Sequence, residues 1–183
     1  MKKFFPFFLS LLVFLFSRSV WAGSIQVSSG AFPAGGDIPS QFTCDGENIS
    51  PALRWSGAPK KTASIALTMQ DPDAPAGTWV HWVLFNLPPT IDNLPQDMPP
   101  LQRLANGEAH GKNDFGNLGY GGPCPPKGPA HRYFFKIYAL DIELQLPKGL
   151  PAGQAGAAKQ EFLEALKGHI LAEGELMGRY ARK

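Results

Sequence analysis

Cysteine is scarce in this sequence, two residues in 183, and the charges nearly cancel, with 17 basic against 15 acidic. Two cysteines are too few for a disulfide-built scaffold or a cysteine-rich zinc module. The small positive excess lies at the N-terminal end: without Lys2, Lys3 and Arg18, 14 basic residues face 15 acidic ones. No electrostatic footprint for nucleic acid or an anionic membrane remains. No apolar run reaches the ~20 residues of a spanning helix. No Gly-x-Ser-x-Gly nucleophile elbow occurs. Asp71-x-Asp73 lacks the later glycine and glutamate of a calcium loop. Asp71, Asp73, His81 and His131 show no ligand spacing on one element, so no metal or cofactor is expected.

What is present begins with a leader. Lys2 and Lys3 precede an apolar stretch from Phe4 to Phe16, interrupted only by Ser10, and Val20-Trp21-Ala22 offers small residues at a cleavage site. Residues 1–22 are read as a secretory signal peptide, cut after Ala22, which leaves no transmembrane anchor and an exported, periplasmic or secreted, protein. Residues 23–183, roughly 160 residues, suit a single domain with its own hydrophobic core.

Proline and glycine punctuate that domain about every ten residues, and the apolar runs between them are short, the rhythm of a β-rich fold. Strands are expected at Ser24–Ser28, Ala52–Trp55, Ala63–Met69, Thr78–Leu87 and His131–Leu140. Period-two alternation places His81 with Val83 on one face of its strand and Trp82 with Leu84 on the other. A helix is expected from Gln154 to Lys167, with Ala158, Phe162, Ala165 and Leu166 on one side and Gly168 at its cap. A short second helix is expected at Ile170–Glu173, then a closing strand at Leu176–Tyr180. Ile91–Gly116 reads as loop with one short strand. His110 and His169 read as surface or capping residues.

Two blocks carry the chemistry. Asp71-Pro-Asp-Ala-Pro75 leads into His81-Trp82, and Gly121-Gly-Pro-Cys-Pro-Pro-Lys-Gly128 leads into His131-Arg-Tyr133. Each joins a stiffened loop to an apolar run opening at a histidine. With Cys44-Asp-Gly-Glu-Asn-Ile-Ser-Pro51, Trp55, Asn113-Asp-Phe-Gly116 and Gly119-Tyr-Gly-Gly122, they resemble the signature regions of the phosphatidylethanolamine-binding protein family, in particular its bacterial Raf-kinase-inhibitor-like branch. The resemblance implies a mostly β fold of two packed antiparallel sheets with one or two peripheral helices near the C-terminus. It implies a ligand pocket lined by Asp71, His81, His131 and Tyr133, with Asp73 nearby fixing its loop. Cys124, Pro125, Pro126 and Tyr180 correspond to further lining positions. It also implies a Cys44–Cys124 disulfide, the alternative being two buried free thiols, and makes Ala74-Pro75 a candidate cis peptide.

Imidazole, phenol and loop amides are hydrogen-bond donors, and donors converging in a rigid concavity bind anions. A small phosphorylated ligand, or a phosphate- or sulfate-like anion, is therefore the expected partner. Asp71 is awkward there. Either it holds an imidazole in its protonated form, or it shares a proton with the ligand or receives the amino group of an ethanolamine head group. The first makes affinity fall as pH rises and the imidazolium is lost. The expected function is non-enzymatic: an exported binding or regulatory protein for phosphorylated head groups or side chains, with a protein partner in signalling or at the envelope. The alternative is a hydrolase acting on a phosphate or ester, with Asp71 and His131 as an acid–base pair.

Overall fold

A computed structural model describes residues 23–101, 109–145 and 157–183. The expected leader and the first residues of the expected helix lie outside this set. Among the described residues, nine strands and one α-helix follow in order, beside a 3₁₀ turn at Ser40–Phe42: β1 (Gly23–Ser24), β2 (Gln26–Ser28), β3 (Leu53–Ser56), β4 (Ser64–Asp71), β5 (Trp79–Leu87), β6 (Asn93–Leu94), β7 (Ala109–His110), β8 (His131–Leu140), α1 (Ala157–Leu166) and β9 (Ile170–Tyr180). Six strands form one sheet in the order β1-β9-β8-β4-β5-β7, and β2-β3-β6 form a second. Every pairing is antiparallel except β1 with β9 at one edge. The mostly β, two-sheet architecture expected from the sequence is the one found.

The strongest apolar runs occupy the sheet centre because only there are both faces covered. In β4, Leu67 and Met69 point between the sheets, where they join Trp55 of β3 and Phe135 of β8. Ala66 of the same strand points the other way, towards Phe162 and Leu166 of α1. Phe162 and Leu166 are four residues apart and thus one above the other on the helix. Gly168, with φ of 79°, ends it in the left-handed conformation that glycine adopts without strain.

The end of the chain departs from expectation. Residues 170–173 are not helical: they open β9, which pairs with β8 along its whole length. Ala172, Leu176 and Gly178 are buried at period two, a signal longer than the short window that looks helical. Position 174 falls on the same side by alternation, and it is glycine because the Ile25 carbonyl lies where a Cβ would be. The expected first strand is divided for a related reason. Ile25, 3 % exposed, donates its main-chain N–H to the Glu173 carbonyl at 2.9 Å. The chain pivots there, so β1 joins the large sheet and β2 the small one.

Three smaller expectations also change. Among the described residues, the stretch 91–116 holds two short strands, β6 and β7. Among the described residues no peptide bond is cis, Ala74–Pro75 included. His110 is 3 % exposed, its ring stacked on Trp82 at 6.2 Å and its Nδ1 accepting the indole N–H at 3.2 Å. Burial pushes its pKa down to about 4. His169 does lie at the surface, where it pairs with Asp141 at 2.8 Å.

Candidate functional site

Asp71 ends β4, and the register carries its neighbours to it. Asp71 pairs with Trp79 of β5, the preceding Gln70 pairs with Phe134 of β8, and His131 pairs with Tyr180 of β9. One end of four adjacent strands therefore collects both sequence blocks.

The two carboxylates of Asp71-Pro-Asp73 take different tasks. Asp71 is buried; Oδ1 accepts the Asp73 main-chain N–H at 2.8 Å, a local Asx turn, and Oδ2 accepts from His131 Nδ1 at 2.8 Å. Asp73 points outward and holds Arg132 through Nε at 2.9 Å and Nη2 at 2.7 Å, and also accepts its main-chain N–H. The guanidinium holds the Asp73 carboxyl down at about 2. Asp73 is thus spent on closing the turn against β8.

His81 reaches the site by breaking strand alternation. Met69 pairs with Trp82 and Gln70 with Val80, so His81 is the extra residue of a β-bulge. Val80 and Val83 both pack on the helix side. The His81 ring instead meets Tyr133 edge-on at 5.2 Å, on the side of the inter-sheet core. The expected pairing of His81 with Val83 on one face is therefore wrong. Strict period two does not survive an inserted residue, and bulges re-aim side chains in this way. The bulge also turns the His81 carbonyl outward, where it accepts the Gly121 N–H at 2.8 Å, while His81 Nδ1 donates to the Gly121 carbonyl at 2.7 Å. A carbonyl only accepts, so this bond fixes the proton on Nδ1. Burial pushes the His81 pKa down, against the pull of the Gly121 carbonyl and the Asp71 charge. His81 is held neutral, and its Nε2 is an acceptor. Only one imidazole of the pair, His131, is placed against a carboxylate.

Tyr133 lies between them, wholly buried, with a hydroxyl that is beside the Asp71 carboxylate but has no well-formed hydrogen bond among the described residues. Burial and the Asp71 carboxylate push its pKa up, so it stays a protonated donor. The chain His131–Asp71–Tyr133–His81 is thus one continuous cluster.

The second block supplies a frame around that cluster. Cys124 forms the disulfide with Cys44. Cys44 N–H donates to the Pro123 carbonyl at 3.1 Å, and Gly122 N–H donates to Asn48 Oδ1 at 2.8 Å. Gly122 packs so tightly on the 42–48 turn that a Cβ would overlap the Phe42 carbonyl and lie 2.6 Å from Asn48 Oδ1. Pro125 is buried and Pro126 exposed on this loop, but the loop atom that touches a histidine belongs to Gly121. Tyr180 donates its hydroxyl to Asp45 Oδ2 at 2.7 Å, and Asp45 also binds Arg182. Tyr180 therefore lies at the rim beside His131, tied to a carboxylate.

Three contributors escaped sequence reasoning: Gly121, through its carbonyl, and the aromatic side chains of Trp79 and Phe115. Phe115 meets His81 edge-on at 5.3 Å and Trp79 at 5.4 Å. Trp79 stands two residues before His81 and was legible as a strand position. Nothing in the sequence revealed that Asn113-Asp-Phe-Gly116 would bring Phe115 over it.

The sequence profile of the family named Phosphatidylethanolamine-binding protein matches residues 28–181. A UPF0098 protein of Methanothermobacter thermautotrophicus is 49 % identical over 158 residues, covering 86 % of this chain and 99 % of that protein. The UPF0098 protein YbcL of Escherichia coli is 42 % identical over 158 residues, covering 81 % and 85 %. Among solved structures, a phosphatidylethanolamine-binding protein homologue from Chlamydia trachomatis superposes with a TM-score of 0.75 at 38 % identity, over 87 % of this chain and 99 % of that one. Escherichia coli YbcL, described as a new member of the mammalian family, superposes with a TM-score of 0.74 at 37 % identity over the same shares. Sequence and fold agree over nearly all of the described chain, which belongs to the phosphatidylethanolamine-binding protein family.

Proposed function

We propose that this protein is an exported, non-enzymatic binding protein whose pocket receives the phosphate of a phosphorylated head group or side chain. One observation carries the reading: among the described residues the Tyr133 hydroxyl is buried without a well-formed hydrogen bond, beside the 2.8 Å His131–Asp71 pair. A buried donor left unpaired costs about 1–3 kcal/mol, which a bound oxyanion would recover. Asp71 does not repel that anion, because both its oxygens are already engaged and His131 neutralises it when protonated. Export is supported by the Lys2-Lys3 start with its apolar run and by the disulfide, a bond that persists in oxidising compartments. A signalling or envelope protein carrying the phosphorylated group is the partner this reading implies.

Calorimetry with inorganic phosphate and O-phosphoethanolamine tests the pocket. Binding should weaken about tenfold in Tyr133→Phe, which removes one oxygen from an otherwise intact core. Unaltered affinity in Tyr133→Phe removes the central argument. The same His131–Asp71 pair favours a second reading, a hydrolase using it for acid–base chemistry. Release of inorganic phosphate from the ester, abolished in Asp71→Asn, would establish that reading in place of the first.

A further inference from the structure

The edge of β5 is covered by residues 109–121, and this stretch starts on a histidine that the site does not use. β7 pairs with β5 at two residues, Ala109 with Phe85 and His110 with Leu84. Beyond it, Gly111, Asp114 and Gly121 donate their main-chain N–H groups to the carbonyls of Val83, Val80 and His81, at 3.0, 2.9 and 2.8 Å. The middle of the stretch is one stiff turn. Asn113, 3 % exposed, accepts the main-chain N–H groups of Phe115 and Asn117 on Oδ1 and donates from Nδ2 to the Gly119 carbonyl, all at 3.1 Å. Residues 109–121 thus form a strap that can leave β5 as a unit.

His110 holds the start of that strap, and neither of its nitrogens is placed to carry a charge. Nδ1 accepts the Trp82 indole N–H at 3.2 Å, which puts the neutral ring's proton on Nε2. Nε2 is buried with no hydrogen-bond partner among the described residues. The ring is stacked on Trp82 and lies close to Gly119, where a Cβ would come within 3.6 Å of Nδ1 and 2.8 Å of Pro100. Protonation makes Nδ1 a second donor facing the indole N–H, so the ring loses its one bond and both its N–H groups stand unpaired. No charge offsets this. Burial alone pushes the His110 pKa down, with no carboxylate or cation contributing from β5, Pro100 or Gly119. Tyr120, edge-on to Trp82, is kept protonated by its own burial. The imidazolium is therefore satisfied only in water. We infer that His110 is an acid-operated latch: its protonation swings the ring out from beneath Trp82 and lifts the 109–121 strap off β5 while the rest of the sheet stays folded. The same motion removes Gly121, whose carbonyl holds His81.

Amide hydrogen exchange read by NMR between about pH 8 and about pH 5 tests the latch, once the intrinsic pH dependence of exchange is removed. Opening the strap returns His110 from about 4 to its ordinary pKa of 6.5, so the open population should rise about thirtyfold over this interval. Gly111, Asp114 and Gly121 should lose protection by that factor, and non-denaturing urea should not change their rates, because a local opening exposes little surface. Met69 and Phe135, on the central strands, should stay slower and exchange by a urea-dependent route. In His110→Gln, and in His110→Phe, which keeps a ring against Trp82, the acid response of the three strap amides should shrink below about twofold. Strap amides that share the urea dependence of Met69 and Phe135 overturn the inference, as does an acid response that survives either substitution. The urea comparison needs no variant, so it decides the matter even where a substitution disrupts folding.

Discussion

The two faces of the six-stranded sheet are built from the same strands yet differ in kind. On one, Ala66, Val83, Tyr138 and Leu140 meet Phe162 and Leu166 of a single helix. On the other, a larger apolar core between the sheets gives way at one end to Asp71, His81, His131 and Tyr133. Alternation places Ala66, Tyr138 and Leu140 on the first face, and the bulge only lets Val80 join Val83 there. The second needs an exception, the bulge at His81, to bring an imidazole round to the tyrosine. Packing follows periodicity, whereas the site depends on where periodicity is broken.

Substitutions confined to one face should separate stability from binding. The largest effect is expected on the helix side: Phe162→Ala, at a wholly buried position, should cost about 4 kcal/mol in urea unfolding while phosphate affinity stays unchanged. Affinity lost in proportion to stability would show that the faces are coupled. The Cys44→Ser, Cys124→Ser double variant should cost about 3 kcal/mol, because the bridge spans 80 residues. Here binding should weaken too, since the disulfide frames the loop that seats His81.

Acid should also distinguish the faces. His110 stacks on the inter-sheet side, and its pKa is lowered from 6.5 to about 4. The unfolded chain takes up that proton first, so stability is complete above pH 6.5 and falls as pH drops towards 4. Between pH 6.5 and 5 the loss is about 2 kcal/mol. His81 is shifted in the same direction and adds to it. Melting temperatures of His110→Gln should fall less steeply with pH; an unchanged slope would refute the assignment.

The smallest effect tests the two aspartates. Asp73→Asn removes a partly exposed ion pair and should cost under about 1 kcal/mol. Its contribution is present above pH 3.8 and is lost as pH falls towards about 2. Phosphate affinity should stay within about twofold in Asp73→Asn and collapse in Asp71→Asn. Equal losses would erase the division of labour between them.

Much of this was readable before any coordinates. The β4 and β8 runs announced central strands, Phe162 and Leu166 announced a helix face, and the spacing of the two blocks announced the family. The misreadings share one cause. The pairing of 170–180 with β8, the division of the first strand at Ile25 and the burial of His110 under Trp82 all depend on partners distant in sequence. A local window contains none of them.

The sequence by itself determined the β-rich architecture and the residue types at the site, because period, proline and glycine placement and short motifs are local properties. Only the tertiary structure decided which way those residues face and what each is spent on. His81 turns towards Tyr133 because a bulge inserts it, Asp73 closes on Arg132 rather than facing the cluster, and Phe115 arrives through a turn fixed by buried Asn113. Such outcomes depend on register between strands far apart in the chain, where one inserted residue reverses the face of a side chain.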